Sequence, residues 1–115
     1  WWSEDKARTQ AYYNTVLRHD GTAPQPLPGW IAAEVVRNHL RSKSMLCLLS
    51  WQDWLATDEA LRAANADAER INVPSEPRHY WRWRMHLTVE QLMQAEEFNG
   101  KVRSMIRQCG RACGE

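Results

Sequence analysis

Five consecutive apolar residues, Met45-Leu46-Cys47-Leu48-Leu49, constrain this chain more than any other segment. The run has polar residues at both ends and shows no apolar–polar alternation. A strand covered on both faces reads this way, as in parallel sheets flanked by helices. Helical patterns lie on either side of it, and the chain has no second run of the same kind. A lone parallel-type strand leaves its backbone N–H and C=O groups without partners. The run therefore predicts a buried strand over 44–50 whose sheet lies outside these 115 residues, or a strand that pairs with another copy. The first is the favoured reading.

The flanking segments read as helices. Ser3, then Glu4 and Asp5, offers a capping hydroxyl and negative charge in a first turn. Ala7, Ala11, Tyr12, Val16 and Leu17 follow at helical spacing, which predicts a helix over 3–19 ending near His19-Asp20-Gly21. The next segment holds three of the five prolines, Pro24, Pro26 and Pro28, and reads as a connector. A second helix over 29–42 buries Ile31, Val35, Val36 and Leu40. After the strand, Asp53 to Ala66 suits one or two short helical turns, and Pro74 and Pro77 forbid regular structure in the loop beyond. The segment 79–85 alternates, with Trp81, Trp83 and Met85 on one side and Tyr80, Arg82 and Arg84 on the other. Thr88 with Gln91 makes a capping box for C-terminal helices over 88–112. Glu96, Glu97 and Gly100 interrupt the apolar stripe there, so a break near Ala95 fits as well as one continuous helix.

Composition excludes several function classes. A formal net charge of +1 gives no basic surplus for a nucleic-acid footprint. No apolar run approaches the roughly 20 residues a membrane helix needs. The cysteines Cys47, Cys109 and Cys113 are odd in number and read as reduced thiols in a cytoplasmic protein. A metal site at Cys109 and Cys113 lacks further ligands at sensible spacing. The start at Trp1-Trp2, rather than Met, predicts a piece of something longer.

The densest chemistry lies in Ile71-Asn72-Val73-Pro74 and in His79-Tyr80-Trp81-Arg82-Trp83-Arg84, downstream of Gln52-Asp53. In this order, with Ser44-Met45 before them, these elements resemble the C-terminal end of the 4-α-glucanotransferases (amylomaltases, disproportionating enzymes). The likeness runs from Trp1-Trp2-Ser3-Glu4-Asp5 to Arg107. Pro77-Arg78-His79-Tyr80-Trp81-Arg82 is similar to the longer, multidomain variant; the shorter form has a Gly after Asn-x-Pro, where this chain has Ser75.

The resemblance implies an α/β fold, the C-terminal portion of a (β/α)8 TIM barrel. It is mostly helical in this part, with one buried strand and a substrate-side loop over 51–87. It implies transfer of α-1,4-glucan segments between maltooligosaccharides with retention, through a glycosyl-enzyme intermediate and without cofactor. Such chemistry uses two carboxyl groups roughly 5–5.5 Å apart. The family takes its acids from Arg-x-Asp, a Glu before a Gly-rich turn, and Thr-His-Asp, and none of the three is present here. The expectation is that the catalytic carboxylates lie upstream of Trp1 and that the isolated chain is inactive. His19-Asp20 imitates part of the last motif but ends a helix instead of a strand, and no Thr precedes it.

The substrate-binding candidates carried by the resemblance are Gln52, Asp53, Asn72 and Pro74. An amide donates and accepts at once, which suits vicinal hydroxyls, and proline two residues on stiffens the loop. Against this, Asp53 suits a helix cap and Asn72 suits its own turn. The expected partners are a maltooligosaccharide or α-glucan and the rest of the barrel, with no nucleic acid and no membrane. Trp1, Trp2, Trp81 and Trp83 read as packing instead of sugar platforms, and His39, His79 and His86 as structural or exposed. Two other classes compete. A free-standing Trp-rich helical module that binds a partner or glycan would bury 45–49 as helix; a single-strand nucleic-acid binder would use the Trp-Arg run. The unpaired strand edge predicts self-association of the isolated chain.

Overall fold

The computed structural model describes residues 1–78, 80 and 82–111. Among these lie five α-helices, one 3-10 turn and no β-strand. The expectations for Trp81, His79 and Cys113 fall outside the described residues.

Helix α1 (Lys6–Thr15) begins later than Ser3. Residues 1–5 form a turn of their own, with the Glu4 and Asp5 N–H groups both donating to the Trp1 carbonyl. Asp5 then becomes the cap, its carboxylate accepting from the Arg8 N–H at 2.9 Å. Of the expected stripe, Ala7, Ala11 and Val16 are exposed, Tyr12 is half-buried and Leu17 alone is buried, so the buried face is a different one. It is Thr9, Tyr13 and Leu17, where the large Tyr13 ring has most apolar surface to hide. The chain leaves the helix through Arg18, at φ 59°, instead of through a glycine. That conformation costs a non-glycine residue about 1 kcal/mol. Local amides offset it: Asn14 Nδ2 donates to the His19 carbonyl, Gln10 Nε2 donates to the Gly21 carbonyl, and Gln10 Oε1 accepts from Ala23 N–H.

Helix α2 (Gly29–Leu40) buries Ile31, Val36 and Leu40 and half-buries Val35. Pro28 caps it without a side-chain acceptor, and the Gly29 N–H finds the Glu59 carboxylate at 2.8 Å. Gly29 is required for close approach, because a Cβ there would sit 2.9 Å from the Thr57 carbonyl oxygen. At the other end Arg37 and His39 complement the helix dipole. The Arg111 guanidinium crosses back to donate to the carbonyls of Leu40, Ser42 and Ser44.

Helix α3 (Trp51–Leu55) is a single capped turn, and a 3-10 turn (Ala66–Glu69) follows. Helices α4 (Val89–Gln94) and α5 (Glu96–Gln108) meet at Ala95, whose ψ of 63° breaks the helical path. The Thr88–Gln91 capping box is formed in both directions. Two cores result. One joins Trp2, Tyr13, Leu17, Ala23 and Ile31, and the other joins Val36, Leu40 and Met105.

The buried strand expected over 44–50 is corrected by the structure. That segment has no regular secondary structure; Met45, Leu46 and Leu48 are 99%, 70% and 84% exposed. Cys47 and Leu49 alone turn inward, against the second core. The reason is the one that made the run informative: without a neighbouring strand, water is the remaining partner for its backbone groups. It does not coil into a helix either, which is what the free-standing helical module would need. Arg111 ties down its first residues through Ser42 and Ser44.

Candidate functional site

Four segments converge on a groove of roughly 920 Å³, in the range of ligand sites. One wall is Trp1-Trp2-Ser3-Glu4, the second is Pro26-Leu27, the third is the inner face of α3, and the fourth is 62–72.

The first wall is fixed from below. Trp2 is 3% exposed, and its indole N–H donates to the Pro24 carbonyl at 2.9 Å. The Trp2 carbonyl accepts from the hydroxyl of fully buried Thr9 at 2.8 Å and from Gln25 Nε2 at 3.3 Å. Trp1 stands differently: it is 59% exposed and meets Trp2 and Tyr12 edge-to-face, each at a centroid distance of 5.4 Å. The two tryptophans, read together from the sequence as packing, therefore divide into one core residue and one surface ring.

In the third wall, Ser50 and Asp53 form a reciprocal capping box. The Asp53 carboxylate accepts from the Ser50 N–H at 2.9 Å and from its hydroxyl at 2.8 Å. This sets the rotation of α3, so that Leu55 is buried and Gln52 lines the groove. Gln52 Nε2 is buried and makes no hydrogen bond among the described residues. An amide in that state has unused donor capacity.

The fourth wall is held by ions. Arg70 pairs with Glu4, bridging it to the first wall, and with Asp67 at 3.2 Å. His86 Nε2 lies 2.7 Å from the Leu61 carbonyl, and its Nδ1 lies 3.7 Å from Glu69. Arg62 donates to the Leu27 carbonyl, which fastens this wall to the second. Asn72 lines the groove at the end of the wall and is exposed. Pro74 stands just outside, at the second position of a turn closed by Glu76 N–H to the Val73 carbonyl at 3.0 Å.

Of the four sequence candidates, Gln52 and Asn72 thus meet in one groove, while Asp53 and Pro74 shape the segments that carry them. Trp1, Glu4 and Arg70 are site features that sequence reasoning missed. The signal was weak, since nothing in the spacing of Glu4 and Arg70 announces a pair 66 positions apart.

Two of the three carboxylates lining the groove, Glu4 and Asp67, pair with the Arg70 guanidinium, and Glu69 lies 3.7 Å from His86 Nδ1. Beneath the first wall, burial and then the charge of Glu34 raise the Tyr12 phenol above its ordinary value. His19, from the false His-Asp motif, lies 2.7 Å from Glu34 and stacks on Tyr13, away from the groove lining. The second half of the Trp-Arg run alternates, with Trp83 and Met85 half-buried and Arg82 and Arg84 exposed; Arg82 lies over the exposed Tyr80 ring at 5.2 Å. No cluster of three metal-ligating side chains occurs among the described residues. No helix among them is long and apolar enough to cross a membrane.

Residues 1–89 match the family described as 4-alpha-glucanotransferase. The chain is similar to the 4-alpha-glucanotransferase DPE2 of Oryza sativa subsp. japonica, at 31% identity over 112 residues. That alignment covers 97% of this chain and 12% of the rice protein. No solved structure matches.

Proposed function

The chain belongs to the 4-alpha-glucanotransferase family, and from this premise we propose that it is the C-terminal part of a (β/α)8 catalytic barrel that transfers α-1,4-glucan segments between maltooligosaccharides. The catalytic carboxylates lie upstream of Trp1, and the reaction retains configuration through a glycosyl-enzyme intermediate. In the whole enzyme the rest of the barrel covers 44–50. The exposed Met45, Leu46 and Leu48 side chains support this, being apolar surface that a sheet and its helices would cover. On this reading the enzyme works in the cytoplasm.

Within that enzyme, Gln52 and Asn72 hydrogen-bond substrate hydroxyls, and Asp53 and Pro74 hold them in position. The observation that carries this is the groove itself, which brings two amides from distant segments together beside an exposed aromatic ring. Glu4 and Asp67, held by Arg70, fit a part that binds sugar and leaves bond cleavage to acids elsewhere.

The test is the in-frame DNA upstream of the Trp1 codon. A strand ending in Thr-His-Asp, with Arg-x-Asp and an acidic partner further back, is the expected result. A stop codon or unrelated sequence contradicts the proposal. In the enzyme so defined, Asn72→Ala should lower kcat/KM for maltotriose about 10- to 100-fold, the loss of one or two hydrogen bonds to substrate. An unchanged kcat/KM removes Asn72 from the site.

A further inference from the structure

We infer that Arg70 is a positioning residue: its ion pair with Glu4 holds the segment that carries Asn72 against the first wall of the groove. This role rests on the family reading above and adds a residue to it. Residues 62–72 contain one 3-10 turn and no longer element, so side chains that reach other segments set their path. The turn itself aims Arg70. Asn65 caps it, its side-chain oxygen accepting from the Asp67 N–H at 3.0 Å, and the Arg70 N–H closes it on the Asp67 carbonyl at 3.2 Å. The Asp67 carboxylate then accepts from Arg70 Nε at 3.2 Å, which leaves Nη2 to donate to Glu4. One planar guanidinium serves two carboxylates in a single rotamer, a fork that a lysine ammonium does not offer.

Glu4 is a fixed point for that contact. Its N–H donates to the Trp1 carbonyl at 3.2 Å, and it lies between Asp5, the cap of α1, and the turn that Trp2 pins through its indole N–H and its carbonyl. Arg62 and the Leu61 carbonyl fasten the segment at its start, to Leu27 and to His86, far along the chain from Asn72. Arg70 stands two positions from Asn72 and reaches a wall 66 positions away. The pair thus joins the first and fourth walls beside Asn72, and with them sets where that amide stands relative to Gln52.

Kinetics with maltotriose and hydrogen exchange, both on the protein expressed from the complete reading frame, test this. Arg70→Gln breaks two ion pairs, each of up to about fivefold, so KM should rise roughly 5- to 25-fold with kcat within about twofold. Backbone amides of 62–72 should exchange at least about tenfold faster, while those of α2 and α5 keep their rates. Glu4→Arg should act in the same direction, and Glu4→Arg combined with Arg70→Glu should restore most of both readouts. Adding Arg70→Gln to Asn72→Ala should change KM by no more than about twofold, because Arg70 acts through that amide. Lys101→Gln, which breaks the Lys101–Glu97 pair on α5 outside the groove lining, should leave both readouts as they were. Unchanged KM and exchange in Arg70→Gln, no restoration by the reversed pair, or full additivity with Asn72→Ala would each overturn the proposal. The two readings fail separately. A complete protein without glucan transfer removes the family function, and exchange over 62–72 still decides whether Arg70 holds that segment.

Discussion

Replacing Gly29 by alanine tests how the groove wall is anchored, and the geometry fixes both sign and size. The new Cβ would lie 2.9 Å from the Thr57 carbonyl oxygen and 3.3 Å from the Glu59 Cγ. The nearest atom is backbone, so the turn after α3 must move or α2 must shift, and overpacking of this kind costs about 1–3 kcal/mol. Glu59 also accepts the Gly29 N–H, so the same displacement strains the contact that caps α2. Alanine recovers up to about 1 kcal/mol of helix propensity in a helix interior, and less at the first helical position. The net expectation is a loss of about 1–2 kcal/mol, which lowers the thermal midpoint of a chain this size by roughly 4–8 °C. Gly100, in the middle of α5, provides the opposite case: a Cβ there would meet nothing within 4 Å, so propensity acts alone. Gly100→Ala should stabilise by about 0.5–1 kcal/mol. Parallel urea titrations of the two variants at one protein concentration decide the matter. If both glycine replacements move the midpoint the same way, the close approach of Gly29 to Thr57 is not what holds α3 against α2.

Leu46→Lys with Leu48→Lys should change stability by less than about 0.5 kcal/mol, since both side chains are exposed, and should raise the concentration at which the chain stays monomeric in sedimentation. Loss of the folded state would show that these residues are buried. For Tyr12, the folded pKa lies above its ordinary value of 10.0, from burial first and the Glu34 charge second. A raised folded pKa means the unfolded chain loses its proton first, so the contribution to stability is complete below pH 10 and disappears as pH climbs through the folded value. In an absorbance titration of tyrosinate Tyr12 should ionise late, and Glu34→Gln should move it back toward ordinary. A normal titration of all tyrosines would contradict the packing of Tyr12.

Readable features of the sequence were those decided within a few residues. The Thr88–Gln91 box formed because a hydroxyl and an amide three positions apart satisfy the first N–H groups of a helix wherever it sits. The inward side of α2 followed from the spacing of Ile31, Val36 and Leu40. Trp83 and Met85 turned inward on the alternation that placed them together. Asp53 suits a cap in the sequence, but it lies inside α3 at the third position; Ser50 is the cap, and Asp53 completes the capping box with it.

Features that depend on remote partners could not be read. The hidden face of α1 passes through Thr9 because the Trp2 carbonyl needs a donor beneath it, a fact absent from any hydrophobic pattern. Arg111 holds the end of α2 across some seventy positions. The apolar run at 45–49 reads as a buried strand, yet it has no regular structure and Met45, Leu46 and Leu48 are exposed, since no strand lies beside it among the described residues. The site divides in the same way. Gln52 and Asn72 stand out from local motifs, while Trp1, Glu4 and Arg70 join them through tertiary packing.

The most direct measurement of the central claim is maltotriose disproportionation by the protein expressed from the complete reading frame that contains these residues. The predicted result is release of glucose with growth of longer maltooligosaccharides, and no such products from the 115-residue chain assayed alongside. Glucan transfer by the short chain itself, or none by the complete protein, would contradict it.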